Sequence, residues 1–286
     1  MAAEIGDADI FVGFSLRAEQ FALAKRLRWI HSTAAAVHQL MNPRLIASNV
    51  LVTNAREVHG PVVAEHAIAM IFALAKRLPA AMRFQRRKVW GQHQLWKQRP
   101  TVCEVGGSTL GLIGLGSIGR EIVRRAKALG MRVLAVREHP ERGSEGADQV
   151  LRTAELDQLL AQSDFVVLAA PLTPRTQGLI NAARLAHMKP DSYLINVSRG
   201  PLVDDQAMIT ALRSRQIAGA ALDVFASEPL PASSPYWSLE NCLITPHTAA
   251  VTKKLWERHY ALFSENLRRF LRGDQLLGIV DKQRGY

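Results

Sequence analysis

Short runs of apolar residues alternate with longer segments of helical periodicity along most of the chain. In the first part, three runs each predict a strand, at residues 10–12, 28–31 and 50–53. Six later runs predict strands at residues 109–113, 131–136, 165–169, 192–197, 219–223 and 242–245. These are almost continuously apolar, which is typical of strands whose two sheet faces are both covered. The alternation predicts an α/β protein with parallel sheets, organised as two Rossmann-like units of unequal size.

Amphipathic segments between these runs predict the helices. The first covers residues 63–78 and is expected to end before Pro79, because proline cannot continue a helix. Three more are predicted at residues 118–129, 204–213 and 252–271. A basic segment containing Trp and Gln, residues 80–107, is interpreted as the connector between the two series.

The composition is that of a soluble globular protein with an excess of positive charge. The 36 Lys and Arg against 25 Asp and Glu give a net charge of +11. The basic residues are dispersed over the chain, whereas a nucleic-acid binder tends to concentrate them on one face. The run at 83–88, followed by Trp90 and Trp96, is the best candidate for a nucleic-acid patch and is interpreted instead as a solvated face. A positive field also attracts anionic substrates and dinucleotides.

Cysteine usage and hydropathy indicate a cytoplasmic, membrane-free protein. Cys103 and Cys242 lie far apart and outside any CxxC spacing, which fits a reducing compartment. The first residues do not resemble a signal peptide, and the longest apolar stretch, residues 62–75, contains Glu65 and His66 and is too short to cross a bilayer. No HExxH or other metal-ligand spacing occurs, so no metal is implied.

A glycine motif predicts a dinucleotide site. Gly114, Gly116 and Gly119 form a GxGxxG pattern that follows the apolar run 109–113 and opens a helical segment. In that context the first glycine permits a tight turn and the second lets backbone amides approach a pyrophosphate. The third allows close helix–strand packing, and the start of the helix supplies partial positive charge.

The residue after the next predicted strand indicates which cofactor is preferred. A site for NAD usually places an acid there to bind the ribose hydroxyls. This chain has Arg137, which can pair with a 2′-phosphate, so NADP is the favoured cofactor. Glu138 follows directly and keeps NAD binding as an alternative.

Three charged residues follow later strands in a combination that suits ketone reduction. Arg199, Glu228 and His247 each come just past an apolar run, where ligands bind in open α/β sheets. His247 is the candidate acid/base, because the imidazole pKa suits proton exchange near neutrality. Glu228 would hold its tautomer, and Arg199 would grip a substrate carboxylate and polarise the ketone.

Several segments together resemble the D-isomer-specific 2-hydroxyacid dehydrogenase family, close to its glyoxylate and hydroxypyruvate reductases. The matching segments read "ADIFVG", "LRWIHSTAAAV", "VVAEHAIAMIFALAKRLP", "TLGLIGLGSIG", "PLTPRTQGLINAARLAHMKPDSYLINVSRGPLVDD", "ALDVFASEPLP", "LITPHTAA" and "ENLRRFLRGDQLL". The resemblance implies a Rossmann cofactor domain, residues 63–250, inserted in a smaller flavodoxin-like substrate domain. The latter would comprise residues 1–62 and a returning C-terminal helix at 251–286. It also implies a homodimer formed through the cofactor domain.

The resemblance also assigns roles to individual positions. The family's catalytic Arg, Glu and His fall on the three residues already chosen. Its cofactor contacts, which include the catalytic His, fall on Ser117, Ile118, Thr173, Thr176, Val197, Ser198, Arg199 and Asp223, the last facing the nicotinamide amide. Its loop for the substrate carboxylate falls on residues 34–37, which include Ala35, Ala36 and Val37.

Three features depart from the family pattern. The substrate loop usually reads Ala-Gly-Val-Asp, but here Ala36 replaces the glycine and His38 the aspartate, so a tighter loop is expected. Arg137 stands where the ribose acid is usual. The first matching segment, "ADIFVG", already begins at residue 8, so the substrate domain is expected to be shortened at its N-terminus. The leading hypothesis is an enzyme that reduces a small 2-keto acid such as glyoxylate or hydroxypyruvate. A cofactor-sensing corepressor-like protein and an inactive truncated relative are the alternatives.

Overall fold

The computed structural model describes residues 5–37 and 39–283 and divides the chain into two compact units. One comprises residues 1–60 with 251–286, and the other comprises residues 61–250. The first boundary was expected between residues 62 and 63. It falls two residues earlier, inside a helix that runs without interruption from Arg56 to Ala75, so no loop marks it in the sequence.

The first unit is built on a three-stranded parallel sheet. Strands β1 (Ile10–Gly13), β2 (Trp29–Ser32) and β3 (Leu51–Thr53) lie in chain order. The helices are α1 (Ala18–Leu23), α2 (Pro43–Ala47) and the C-terminal α10 (Leu255–Arg272). Three strands in chain order lack the strand exchange that defines a flavodoxin-like sheet, so that description stays an expectation.

Aromatic packing joins the sheet of this unit to its C-terminal helix. The Trp29 ring is stacked on Phe263, with centroids 5.5 Å apart, and is tilted against Phe270 at 5.4 Å. The Trp29 indole also donates a hydrogen bond of 2.9 Å to Thr53 Oγ1, so its polar edge is satisfied although the side chain is fully buried.

The second unit contains a seven-stranded parallel sheet with helices on its faces. Its strands are β4 (Thr109–Ile113), β5 (Arg132–Val136), β6 (Gln149–Leu151), β7 (Phe165–Leu168), β8 (Tyr193–Asn196), β9 (Gly219–Leu222) and β10 (Cys242–Ile244). Their order is β10-β9-β8-β7-β4-β5-β6. The strand order reverses between β4 and β7, as in Rossmann folds, where dinucleotides bind at the carboxyl ends of the strands beside this switch point.

The helices of this unit extend the predicted set. Helix α3 (Arg56–Ala75) enters it from the first unit, and the others are α4 (Leu78–Arg86), α5 (Gln92–Lys97), α6 (Ser117–Ala128), α7 (Leu156–Gln162), α8 (Ala182–His187) and α9 (Asp205–Arg213). By length and composition alone α3 could cross a membrane, which is weak evidence. One face of α3 lies in the core of the second unit and accounts for much of its hydropathy, with the buried residues Val63, Ala64, Ala67, Met70, Ile71, Leu74 and Ala75.

Some sequence predictions of helix bounds were wrong. The helix expected at 63–78 begins seven residues earlier and ends at Ala75, and Pro79 lies in the first turn of α4 instead of terminating α3. A proline is tolerated at that position because the first-turn amides have no helical acceptor. The connector at 80–107 contains most of α4 and all of α5, and helices of nine and six residues are too short to show a repeated hydrophobic pattern.

Candidate active site

The predicted glycine turn lies at the carboxyl end of β4, beside the switch point. Gly114 has a φ of +101°, and a Cβ there would come within 2.7 Å of the Ala169 carbonyl, so the turn requires glycine. A Cβ on Gly119 would lie 2.3 Å from the Gly114 carbonyl oxygen, so this glycine allows the close helix–strand packing that was expected. A Cβ on Gly116 would meet nothing within 4 Å. The second glycine therefore borders open space at the start of α6, with Ser117 and Ile118 in the first turn.

The segment after β5 places a cluster of charges near this turn. Arg137 is half-buried and donates a hydrogen bond of 3.1 Å to the Gly143 carbonyl. The Glu138 carboxylate accepts a hydrogen bond of 3.0 Å from Arg175, which follows β7. Both partners of this pair are exposed, so it adds little to stability. The loop after β7 also holds Thr173 and Thr176, whose hydroxyl oxygens are 3.1 Å apart.

Arg199 lies in a tightly packed turn at the carboxyl end of β8. Asn196 fixes this turn, since its side chain donates to the Arg199 carbonyl and accepts from the Ser198 amide, both at 3.0 Å. A Cβ on Gly200 would lie 1.9 Å from the Phe225 carbonyl carbon, so only glycine fits there. Val197 and Ser198 are buried, and the Ser198 hydroxyl donates to the Ala170 carbonyl. Burial lowers the pKa of Arg199, and nearby Glu228 opposes that shift.

Asp223 lies at the end of β9 and holds the loop that follows β10. Its buried Oδ1 accepts hydrogen bonds from the Thr245 hydroxyl at 2.5 Å and the Thr248 amide at 2.9 Å. Its Oδ2 accepts one from the Ala249 amide at 3.0 Å, and its backbone carbonyl accepts one from the His247 amide at 2.8 Å. Four groups of the loop are thus bound to one residue.

His247 and Glu228 form the hydrogen-bonded pair that the sequence predicted. Nδ1 of His247 lies 2.6 Å from Oε2 of Glu228, and Oε1 of the same carboxylate accepts a hydrogen bond from the Phe225 amide at 2.9 Å. Because an ionised carboxylate only accepts, Nδ1 carries the hydrogen and Nε2 is left to exchange a proton. His247 has a φ of +53°, a conformation rare for residues other than glycine and frequent at functional sites.

The predicted substrate loop belongs to the first unit. Its backbone is held by the Asn54 side chain, which donates to the Ala35 carbonyl at 2.8 Å, and by the Ala55 amide, which donates to the Ala34 carbonyl at 3.0 Å. Ala36 does not adopt a positive φ, so an alanine is accommodated at this position without backbone strain. Val37 is buried, and His38 lies outside the described residues.

No motif in the sequence assigns a functional role to His66. In the structure its Nε2 lies 3.1 Å from Thr245 Oγ1 and 3.6 Å from Asp223 Oδ1. Thr245 lies 179 positions away in the chain, so this contact is visible only in the folded structure. Within residues 5–37 and 39–283, no group of three or more His, Cys, Asp or Glu side chains is placed to hold a metal.

Comparison with known proteins supplies a family match. Residues 68–249 match the family model described as "D-isomer specific 2-hydroxyacid dehydrogenase, NAD binding domain". A glyoxylate reductase of Korarchaeum cryptofilum is 34% identical, over 98% of this chain and 84% of its own length. A D-3-phosphoglycerate dehydrogenase of Synechocystis is 38% identical over 89% of this chain, which spans only 44% of that longer protein.

A solved structure shows the same architecture. The NADPH-dependent glyoxylate/hydroxypyruvate reductase of Sinorhizobium meliloti, crystallised with NADP and sulfate, superimposes with a TM-score of 0.85 at 27% identity. The match covers 98% of this chain and 87% of that one.

Proposed function

The chain belongs to the D-isomer-specific 2-hydroxyacid dehydrogenase family, and we propose that it reduces a small 2-keto acid to the D-2-hydroxy acid, preferentially with NADPH. Glyoxylate and hydroxypyruvate are the proposed substrates. The names of the Korarchaeum and Sinorhizobium relatives support this substrate class. The observation that carries the proposal is the hydrogen bond between His247 and Glu228 beside Arg199.

In the proposed reaction His247 delivers the proton. A nicotinamide cofactor, when bound, supplies the hydride that reaches the carbonyl carbon. Nε2 of His247 gives its proton to the carbonyl oxygen as the C=O double bond becomes C–OH. Glu228 keeps the hydrogen on Nδ1, and its negative charge stabilises the imidazolium that precedes proton transfer. In the oxidation direction the same nitrogen accepts the hydroxyl proton.

Arg199 is proposed to bind and polarise the keto acid. Its side chain is half-buried, and one Nη1–H donates to the Ser198 carbonyl at 2.6 Å, which restrains the guanidinium. A guanidinium has five donors, so others stay available for the substrate carboxylate and the ketone oxygen. We propose that Ala35, Ala36 and Val37 offer backbone amides to a substrate carboxylate.

The residues around the glycine turn fit a dinucleotide. The open space beside Gly116 is the approach that a pyrophosphate needs, and the start of α6 favours its negative charge. We propose that Thr173, Thr176, Val197 and Ser198 lie along the cofactor. Asp223 is proposed to accept from the nicotinamide amide, because three donors occupy its carboxylate and one of about four acceptor positions stays available.

The preference for NADP is proposed from the charges after β5. Arg137 provides a cation where the ribose acid of NAD sites is usual. Glu138, the alternative partner for ribose hydroxyls, is engaged by Arg175 at 3.0 Å. The complex of the Sinorhizobium enzyme with NADP supports the same choice.

We also propose that the protein is a cytoplasmic homodimer. The segment 78–102 exposes six large apolar side chains, those of Leu78, Met82, Val89, Trp90, Trp96 and Val102. Trp90 is 88% exposed and Trp96 64%, an arrangement typical of an interaction surface. Sedimentation should show a dimer that Trp90→Asp converts to monomers. Trp256→Asp, at a residue that is 72% exposed on another helix, should leave the dimer intact.

The proposed cytoplasmic location is supported by the cysteines. Both are free, which fits a reducing compartment.

The activity is tested by following NADPH and NADH oxidation against glyoxylate, hydroxypyruvate and pyruvate. We expect turnover with at least one of these acids, a D-configured product wherever the product is chiral, and a higher kcat/KM with NADPH. Cofactor binding without turnover on any acid would contradict the enzyme and favour the sensing or inactive alternatives. Turnover that yields an L-hydroxy acid would contradict the assigned stereochemistry.

A further inference from the structure

His66, on helix α3, contacts the loop that contains His247, and both histidines belong to the second unit. The His66 side chain is 23% exposed, and Nε2 lies 3.1 Å from the Thr245 hydroxyl and 3.6 Å from the Asp223 carboxylate. Thr245 is the first residue after β10 and lies two positions before His247. The His247 amide donates to the carbonyls of the same two residues, Asp223 at 2.8 Å and Thr245 at 3.1 Å, so both histidines act on one short loop.

The hydrogens of this network have one consistent assignment. Thr245 Oγ1 lies 2.5 Å from Asp223 Oδ1, and an ionised carboxylate can only accept, so the single hydroxyl hydrogen of Thr245 belongs to that bond. Thr245 Oγ1 can then only accept from His66. Consequently Nε2 of His66 carries a hydrogen, and the donors run in one direction, from His66 through Thr245 to Asp223.

The loop depends on this chain of donors. The Asp223 carboxylate also accepts the Thr248 and Ala249 amides, and its carbonyl accepts the His247 amide. Between these anchors His247 holds a left-handed backbone, which is unfavourable unless its surroundings enforce it. A loss of the His66 donor would leave Thr245 free to rotate away from Asp223 and would loosen the anchor nearest to His247.

We propose that His66 is a positioning residue for the reaction: its Nε2–H, through Thr245 and Asp223, fixes the loop that presents His247 to the substrate. This role rests on the reductase activity proposed above. We expect a substitution of His66 to lower kcat more than it changes KM. A shift of the proton donor by a fraction of an ångström slows the chemical step while leaving cofactor and substrate contacts largely intact.

Three variants and a control test this role. His66→Leu removes the donor and keeps the bulk, His66→Gln keeps an N–H at similar reach, and Thr245→Val breaks the relay. His187→Leu, at an exposed histidine of α8, is the matched control. We expect His66→Leu and Thr245→Val each to lower kcat about 10-fold, with less than about a threefold change in KM for NADPH. His66→Gln should recover kcat to within about threefold of the native enzyme.

The double variant and hydrogen exchange complete the test. His66→Leu combined with Thr245→Val should be no slower than either alone, because both break one chain. Exchange of the Thr248 and Ala249 amides should accelerate about 10-fold in His66→Leu and return in His66→Gln, while Ile195 in β8 is unchanged. A native kcat in His66→Leu, or a His66→Gln variant as slow as His66→Leu, would overturn the assignment. An inactive native enzyme contradicts only the proposed reaction, since the exchange rates still decide the role of His66.

Discussion

Nδ1 of His247 and Oε2 of Glu228 lie 2.6 Å apart, although the two residues follow different strands and are 19 positions apart. The second oxygen of the carboxylate is bound to the Phe225 amide, so the carboxylate cannot rotate freely. This pair fixes which imidazole nitrogen carries the hydrogen and leaves the other available for proton exchange.

Glu228→Gln should lower kcat about 10²-fold with a smaller change in KM, because the amide can offer a donor to Nδ1 and favour the wrong tautomer. His247→Asn should lower kcat further, by about 10³-fold, since it removes the proton donor itself. Steady-state rates with NADPH and the best keto acid measure both. Equal NADPH affinity of the native and Glu228→Gln enzymes by fluorescence titration is the control, and a Glu228→Gln enzyme as fast as the native one would refute the pairing.

Arg199→Lys should raise KM for the keto acid about 10²-fold, because an ammonium cannot replace the planar, two-pronged grip of a guanidinium. NADPH affinity should stay within about threefold. The comparison variant is Arg213→Lys, at the end of α9. If KM is unaffected while kcat falls, Arg199 acts only on the transition state and does not bind the ground-state carboxylate.

Arg137→Asp should reverse the cofactor preference toward NADH, since an acid binds ribose hydroxyls and repels a 2′-phosphate. We expect the ratio of kcat/KM for NADPH over NADH to fall at least about 10-fold. Arg132→Asp is the matched control. It makes the same change in net charge, but at the amino end of the strand, away from the glycine turn. An unchanged ratio in Arg137→Asp would exclude Arg137 from phosphate recognition.

Two glycines of one motif should respond differently to alanine. Gly116→Ala places its Cβ in open space, so the melting temperature should change little while NADPH affinity falls at least about 10-fold. Gly119→Ala places its Cβ 2.3 Å from the Gly114 carbonyl oxygen, so the fold itself should lose stability by about 2 kcal/mol. Thermal unfolding and cofactor titration separate the two effects. Equal loss of stability in both variants would contradict the distinction.

Buried His31 should make the protein sensitive to acid. Desolvation and the neighbouring His259 lower its pKa from 6.5 to about 4, and its Nε2 has no hydrogen-bond partner among residues 5–37 and 39–283. Between pH 6.5 and about 4, His31 therefore binds a proton in the unfolded chain and stays neutral in the folded one. The associated stability is present in full above pH 6.5 and is lost as the pH falls toward 4.

Between pH 8 and pH 5 this histidine should remove about 2 kcal/mol from the free energy of unfolding. Denaturant unfolding at the two pH values measures the loss, which His31→Gln should reduce. The exposed His187→Gln serves as the control. A native protein whose stability is the same at both pH values would show that His31 is not kept neutral.

Much of the second unit, its strands and its candidate site residues, could be predicted from local physical rules. Apolar runs of four to six residues predict buried parallel strands because both faces of such strands are covered. The charged residues after those runs predict a site because all the strands end at the same edge, so Arg199, Glu228 and His247 could be chosen without coordinates. The roles of Gly114 and Gly119 could be predicted as well, since a tight turn and a close helix–strand contact each exclude a side chain.

The tertiary structure alone decided the contacts between distant, weakly patterned residues. His66 has the periodicity of an ordinary core helix, and its bond to Thr245 arises only when α3 packs on the sheet. The pairing of Arg175 with Glu138, 37 positions apart, likewise depends on neighbouring loops at the switch point. Hydrophobic periodicity specifies which face of an element is buried, but not which polar groups meet there. Those partners are set by strand order and packing, which bring together side chains that carry no common signal along the chain.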